Sequence, residues 1–416
     1  MRHLFILIIC GLLLTACKKD KQNEEEPKAS ISVLVYIAGD NNLNSFINDD
    51  ISQMIEGSRK LTKQQNLIIF VDSKGLPPYF AKVANGDTTH IYSFSEELKT
   101  SDAETLAMAM RWVKENYEAD QYGLALWGHA DGWTINGART AGAPRRAYGQ
   151  DDAGSNTWMN IPDMAKAIEG VCGNKPLRFI FADCCCFQCI ESAYELRHCA
   201  EYIIASPAEI PGEGAPYHTV IPALFSSRAD FWQLAANSYH AQISYDYEEP
   251  LSVVKTSELE NLAQATKAAL TQSMEPLNSE GTNYPVVDSL IYYYNHCHYD
   301  MNDFMLRNAT TADVYAQWKR SFDAAVPSRL SASVWMSSGG SGYYDYNGRH
   351  VPYTNSSENV FRDFVVTDER YGGISMYVPQ HTELLSSRDR SYQEKQRRNI
   401  SKMQWYKDAG YDALGW

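Results

Sequence analysis

Five short, mostly apolar runs, each followed by a stretch of different period, constrain this chain more than any other feature. They are residues 32–38 (SVLVYIA), 66–72 (NLIIFVD), 122–127 (YGLALW), 177–182 (LRFIFA) and 201–206 (EYIIAS). Uninterrupted β-branched and aromatic runs suit strands covered on both faces, where a half-exposed strand would alternate with polar residues. After the first run Leu43, Phe46, Ile47, Ile51, Met54 and Ile55 share one helical face that ends at Gly57. Leu106, Met110, Val113 and Tyr117 share another, preceded by Ser101–Glu104 at capping-box spacing. A short helix is expected over 162–169, and Ile190, Ala193, Tyr194 and Arg197 mark one after the fourth run. A hairpin is expected over about 78–94, turning at Asn85-Gly86-Asp87. Strands alternating with helices predict an α/β fold, a mostly parallel sheet flanked by helices, with its site beyond the carboxyl ends of the strands.

Residues 134–155, rich in Gly, Ala and Arg, are expected to form a long loop. Past about residue 225 the pattern turns to longer helices, including 258–274 with a second capping box at Ser257–Glu260, and a late strand over 373–378 stops at Pro379. This divides the chain into an α/β domain over 31–225 and a C-terminal accessory α/β region over 226–416. A length of 416 residues supports two such units. The formal net charge of −14 disfavours nucleic acid and favours a cationic substrate.

The first residues, a basic Met1-Arg2-His3 and then an apolar run to Leu14, have the pattern of a signal peptide over 1–16 and are too short to span a bilayer. Leu14-Thr15-Ala16-Cys17 resembles the bacterial lipobox, which makes Cys17 the acylated first residue of the mature chain. Residues 17–30 are charged, aperiodic and broken by Pro27, as expected of a solvated tether. Their lysine-then-acid pattern resembles the export signal of Bacteroidetes-type surface lipoproteins. The expected location is the cell envelope, with a lipid anchor at the outer membrane or cell surface. Removing Cys10 and acylating Cys17 leaves an odd number of the nine cysteines, which flags an unpaired, reactive thiol in an exported protein.

Two strand ends carry chemistry. His129 stands in a Gly-containing turn just after the third run, and Asp183-Cys184-Cys185-Cys186 follows the fourth. Neighbouring parallel strands would bring both to one rim, where an imidazole can serve a thiol nucleophile. A helix starting near Phe187 would aim its amino end at the thiols and favour thiolate. Cys186-Phe187-Gln188-Cys189 is also a CxxC, and a zinc site would have to complete it from Cys172, His198 and Cys199. These residues alone do not say which cysteine of the run is the nucleophile.

Residues 33–43 (VLVYIAGDNNL), 122–133 (YGLALWGHADGW), 181–196 (FADCCCFQCIESAYEL), Ala205-Ser206 with 211–214 (PGEG) and Tyr217, and 373–379 (GISMYVP) together resemble the ordered motifs of the clostripain family of cysteine peptidases. The resemblance implies a caspase-like fold and a peptide or protein substrate. Its nucleophile motif is an aspartate, a small residue, the cysteine and then four residues before a hydrophobic-Glu pair. Counted back from Ile190-Glu191, it assigns Cys185 as nucleophile and His129 as its partner. The histidine-first order also agrees with the spacing of roughly 50 residues in caspases. By the same resemblance the backbone at Ala130 and Cys185 holds the oxyanion, Asp183 and Glu213 receive an Arg or Lys side chain, and Arg145-Arg146 lies where family members cut themselves. Calcium enters by resemblance only; the residues themselves call for no cofactor. Ala130 stands where the family usually has Gly, Cys184 and Cys186 replace Ala and Leu, and Pro207 and Ile210 alter the loop that carries Glu213. Two rival functions stay open: a catalytically silent surface binding lipoprotein on the same fold, and a peptidase with non-basic specificity.

Overall fold

A computed structural model of the chain describes residues 28–135, 147–152, 157–241, 243–244, 247–278, 283–294, 298–332, 335–337, 342–344, 350–352, 366–381 and 387–416. Cys17, the signal peptide and Arg145-Arg146 lie outside the described residues. In chain order the first half runs β1 (Ala29–Gly39), a 3-10 turn (Asn42–Phe46), α1 (Ile47–Ser58), β2 (Gln65–Ser73), β3 (Leu76–Ala84), β4 (Asp87–Ser93), α2 (Ala103–Asn116) and β5 (Ala119–Trp127). It continues with β6 (Tyr148–Asp151), β7 (Thr157–Met159), α3 (Ile161–Cys172), β8 (Phe179–Asp183), α4 (Ile190–Glu195), β9 (Tyr202–Ala205), α5 (Tyr217–Leu224) and α6 (Phe231–His240).

The main sheet has nine strands in the order Ser328–Leu330, Leu251–Lys255, β9, β8, β5, β1, β2, β3, β4. The five central strands from β9 to β2 are parallel, and both edges are antiparallel. Alternate side chains of β1 show why the run is unbroken. Val33, Val35 and Ile37 pack with Ile47, Ile51 and Met54 of α1 and Tyr217, Val220 and Ile221 of α5. Leu34, Tyr36 and Ala38 pack with Leu106, Met110 and Val113 of α2 and with α3 on the other face. Both faces are therefore dry, and period-2 polarity has no place there.

The structure departs from the sequence expectations at several points. Strand β1 begins at Ala29, inside the span assigned to the tether. The expected division after residue 225 is not an edge of the sheet, because Leu251–Lys255 and Ser328–Leu330 extend it. Strand β6 lies within the expected loop 134–155. The cap of α2 is Asp102, which accepts from the Glu104 N–H, and not Ser101. At the second capping box a 3-10 turn, Thr256–Glu258, precedes the helix Leu259–Ser273, so Ser257 caps nothing. Ser375–Tyr377 joins His298–Asp300 and Tyr292–Tyr294 in a separate three-stranded antiparallel sheet of the C-terminal α/β segment. Among the described residues no helix is long and apolar enough to cross a membrane.

Candidate active site

Trp127 at the end of β5 pairs in register with Asp183 at the end of β8. Parallel neighbours lie about 4.8 Å apart, so the chain after each strand emerges on the same carboxyl rim. At Gly128 β5 turns with φ +143°, and a Cβ there would meet the Ala38 carbonyl oxygen at 3.0 Å; glycine alone permits that passage past β1. The turn is then clamped by β6. Gly149 N–H donates to the His129 carbonyl (2.9 Å) and Asp131 N–H to the Ala147 carbonyl (3.0 Å). Those bonds flank Ala130, whose own N–H has no acceptor among the described residues.

His129 is half-exposed, with its ring centroid 6.1 Å from that of Trp158 and its Nε2 2.8 Å from Asn42 Oδ1. Asn42 opens the 3-10 turn after β1, and Asn41 fixes that turn. Its Oδ1 accepts from Leu43 N–H (2.8 Å), while its Nδ2 donates to the carbonyls of Ala38 (2.9 Å) and Gln150 (2.8 Å). Because β1 neighbours β5, the turn delivers Asn42 to the imidazole. In the sequence, Asn41-Asn42 reads only as a turn former. The signal that could have found it is an amide side chain ending the strand next to the histidine's.

Of the five cysteines from 184 to 199, Cys185 is the one not fully buried. Cys184 Sγ donates to the Leu126 carbonyl (3.3 Å), Cys189 Sγ to Ser192 Oγ (3.0 Å) and Cys199 Sγ to the Ala165 carbonyl (3.6 Å). Cys185 Sγ donates to the Ile210 carbonyl (3.7 Å) and accepts from the Ile210 N–H (3.5 Å), and the Cys185 N–H has no acceptor among the described residues. The helix expected from Phe187 starts at Ile190; before it Cys186 turns at φ +52°, its N–H on the Ala208 carbonyl (2.7 Å), and Gln188 N–H lies on that of Ser206 (2.9 Å). No helix end therefore favours the thiolate. Burial pushes the Cys185 pKa up, the charge of Glu209 adds to this, the Ile210 N–H offsets part, and Glu249 and Asp131 raise it further. The surroundings of Cys185 therefore favour the thiol over the thiolate.

Asp183 does not stand open to a substrate. It is 3% exposed, with Oδ2 accepting from Ala215 N–H (3.0 Å) and Oδ1 from the Tyr239 hydroxyl (2.9 Å). Gly214, at φ +61°, passes so close that a Cβ would lie 2.6 Å from Asp183 Oδ2. The carboxylate anchors the loop that carries Glu213, for which the sequence offered no signal. Glu213 itself is exposed. Asp50 of α1 is buried, with Oδ2 accepting from Trp127 Nε1–H (2.7 Å); burial and then the Asp183 charge push its pKa up to about 8.

Neither metal expectation finds a ligand set. Among the described residues no group of three His, Cys, Asp or Glu side chains is arranged to hold a metal ion, at Cys186/Cys189 or elsewhere. Asp72 near the end of β2 and Asp151 of β6 share the Thr100 hydroxyl at 2.8 and 3.3 Å. A cavity of about 710 Å³ lined by Pro176, Ala200, Tyr202 and Thr256 opens at the amino ends of β8 and β9, the wrong edge for this chemistry.

The sequence matches the model of the clostripain family over residues 35–412. It is similar to clostripain of Hathewaya histolytica, 24% identical over 234 residues that make up 49% of this chain and 43% of that protein, so it spans less than half of that relative's length. Among solved structures it is similar to a secreted C11 cysteine protease of Bacteroides thetaiotaomicron in complex with an irreversible peptide inhibitor (27% identity, TM-score 0.71, 93% of this chain and 100% of the other). It is also similar to an inactive zymogen C11 protease of Parabacteroides distasonis (25% identity, TM-score 0.67, 92% and 98%).

Proposed function

Because the chain belongs to the clostripain family, we propose that it is an exported cysteine endopeptidase that uses Cys185 and His129 to cleave peptide bonds after Arg or Lys. The observation that carries this reading is the half-exposed Cys185 thiol and the half-exposed His129 imidazole leaving paired, adjacent strands on one rim. With Asn42 Oδ1 accepting from Nε2–H, the imidazole's basic nitrogen is Nδ1. As Cys185 Sγ attacks the scissile carbonyl carbon, Nδ1 takes the thiol proton. The carbonyl oxygen becomes an oxyanion held by the N–H groups of Ala130 and Cys185. Collapse breaks the C–N bond, and the imidazolium gives its proton to the leaving amine. Water, deprotonated by Nδ1, then attacks the thioester; its carbon–sulfur bond breaks and the sulfur regains the proton.

Preference for a cationic side chain is supported by the net charge of −14 and by the exposed Glu213 on the loop held by Asp183. Residues 1–16 act as the signal peptide and Cys17 as the lipid anchor, followed by the charged tether, which places the enzyme on the envelope. Self-cleavage after Arg145 or Arg146 would activate the enzyme; the Parabacteroides relative is an inactive zymogen. The test is hydrolysis of peptides with Arg, Lys, Asp or Leu before the scissile bond by wild type, Cys185→Ala and His129→Ala. The reading requires turnover of the basic peptides, abolished in both variants; no turnover of any peptide returns the silent binding protein. A cleavage pattern on a denaturing gel that is identical for wild type and Cys185→Ala removes self-processing. Equal detergent-phase partitioning of wild type and Cys17→Ser removes the anchor.

A further inference from the structure

Trp158 belongs to two places at once. Its ring lies 6.1 Å from the His129 ring, tilted by 44°, and it also lines a cavity of about 540 Å³ between the first turns of α2 and α3. The half-buried indole reaches both because β7 pairs antiparallel with β6, Tyr148 against Met159, while β6 clamps the His129 turn through the Gly149 N–H. Ala103, Met159 and Ala167 line the cavity beside the indole, and the Ser101 and Thr157 hydroxyls there are bonded to each other.

Two helix starts and two lysines, Lys99 and Lys166, would invite an anion, but the helix ends are already used. Asp102 caps α2 by accepting from the Glu104 N–H (3.1 Å). In the first turn of α3, Pro162 has no N–H, and the Asp163 and Met164 N–H groups donate to the Asn160 carbonyl (3.1 and 3.0 Å). Three carboxylates, Asp102, Glu104 and Asp163, line the same cavity and oppose the two ammonium groups. Neither sign of charge commands the cavity. The recognition element that remains is the indole, a large apolar face on which another ring or an aliphatic chain can lie.

The reaction decides which half of a substrate comes here. When the C–N bond breaks, the carbonyl half stays on Cys185 and the imidazole gives its proton to the leaving nitrogen. The residue after the scissile bond therefore lies within hydrogen-bond reach of His129, and Trp158 stands beside that ring. We propose that Trp158 and the adjoining cavity form the subsite for the side chain that follows the scissile bond, and that this subsite selects an aromatic or large aliphatic residue. The proposal rests on the peptidase reading above. A cavity of this volume is in the range of those that take small organic groups, and a glycine at that position would leave it unfilled.

The test uses peptides that are identical up to the scissile bond, with Arg before it and Phe, Leu or Gly after it, on wild type, Trp158→Ala, Trp158→Phe and Ala167→Phe. Wild type should cleave the Phe and Leu peptides with kcat/KM at least about 10-fold above the Gly peptide, as expected for filling an apolar subsite. In Trp158→Ala the Phe-to-Gly ratio should fall to about 3 or less, because the stacking face is gone. Trp158→Phe should keep most of the ratio, and Ala167→Phe, which fills the cavity from α3 and leaves the indole in place, should lower it. Each ratio is read on one preparation, so a smaller folded fraction cancels. An unchanged ratio in either Trp158→Ala or Ala167→Phe overturns the proposal, and equal loss on all peptides would instead make Trp158 a positioning residue for His129. Wild type that cleaves all three peptides without preference overturns the proposal and leaves the peptidase reading intact, whereas wild type that cleaves none refutes both.

Discussion

Replacing Asp183 with alanine separates an anchor from a ligand. Two buried donors, the Ala215 N–H at 3.0 Å and the Tyr239 hydroxyl at 2.9 Å, lose their carboxylate acceptor. Each buried group left unsatisfied costs about 1–3 kcal/mol, so the gross loss is about 2–6 kcal/mol. Removing the carboxylate also removes an unfavourable term, because burial holds the Asp183 pKa above its ordinary range. The net expectation is a destabilisation of about 2–4 kcal/mol, a large share of the roughly 5–15 kcal/mol that holds a native protein. Urea unfolding reads this as a shifted midpoint at constant slope. Tyr239→Phe supplies the second arm of a double-mutant cycle, and groups in direct contact should couple by about 0.5–3 kcal/mol. A loss below about 0.5 kcal/mol, the range of neutral surface changes, together with a selective rise in KM for Arg peptides, would refute the anchor and restore Asp183 as a substrate ligand.

Other expectations follow from the same geometry. Asn42→Ala should lower kcat about 10- to 100-fold with little change in KM or stability, because Asn42 is exposed and acts by orienting His129; unchanged kcat would remove that role. Burial and Glu209 raise the Cys185 pKa, so alkylation of the free enzyme by iodoacetamide should keep accelerating above pH 9, and a plateau at pH 5–7 would instead reveal a preformed thiolate. His298 is buried and its pKa is lowered to about 4 from 6.5. Its stabilisation is complete above pH 6.5 and is lost as pH falls towards 4, when the unfolded chain takes up a proton that the folded chain refuses, a term of up to about 3 kcal/mol. His298→Asn should flatten the stability profile over that window, and an identical profile in wild type and variant contradicts the assignment.

The parallel core was legible because each central strand is dry on both faces, which writes an unbroken apolar run into the sequence at 32–38, 66–72 and 122–127. His129 and the cysteine run were legible because they follow such runs directly. The rest depends on pairing across long separations. Strand β6 is only Tyr148–Asp151, includes Gly149 and alternates nothing, so it looked like its loop. Ser328–Leu330 is short and partly exposed, and its membership of the sheet is set by its partner strand. The Cys185 thiol was expected to be acidified by a helix that starts later than its apolar pattern suggested, while burial, and after it the charges of Glu209 and Glu249, push it the other way. Trp158 carries no local signature at all; only the pairing of β7 with β6 brings it beside His129.

The most direct test of the central assignment is covalent trapping. Wild type, Cys185→Ala and His129→Ala would each be incubated with a peptidyl-arginine chloromethyl ketone and analysed by intact mass and peptide mapping. One adduct is expected per wild-type chain, mapped to Cys185, with none on Cys185→Ala and strongly slowed labelling of His129→Ala. An adduct on Cys184, Cys186 or Cys189, or equal labelling of wild type and Cys185→Ala, would contradict it.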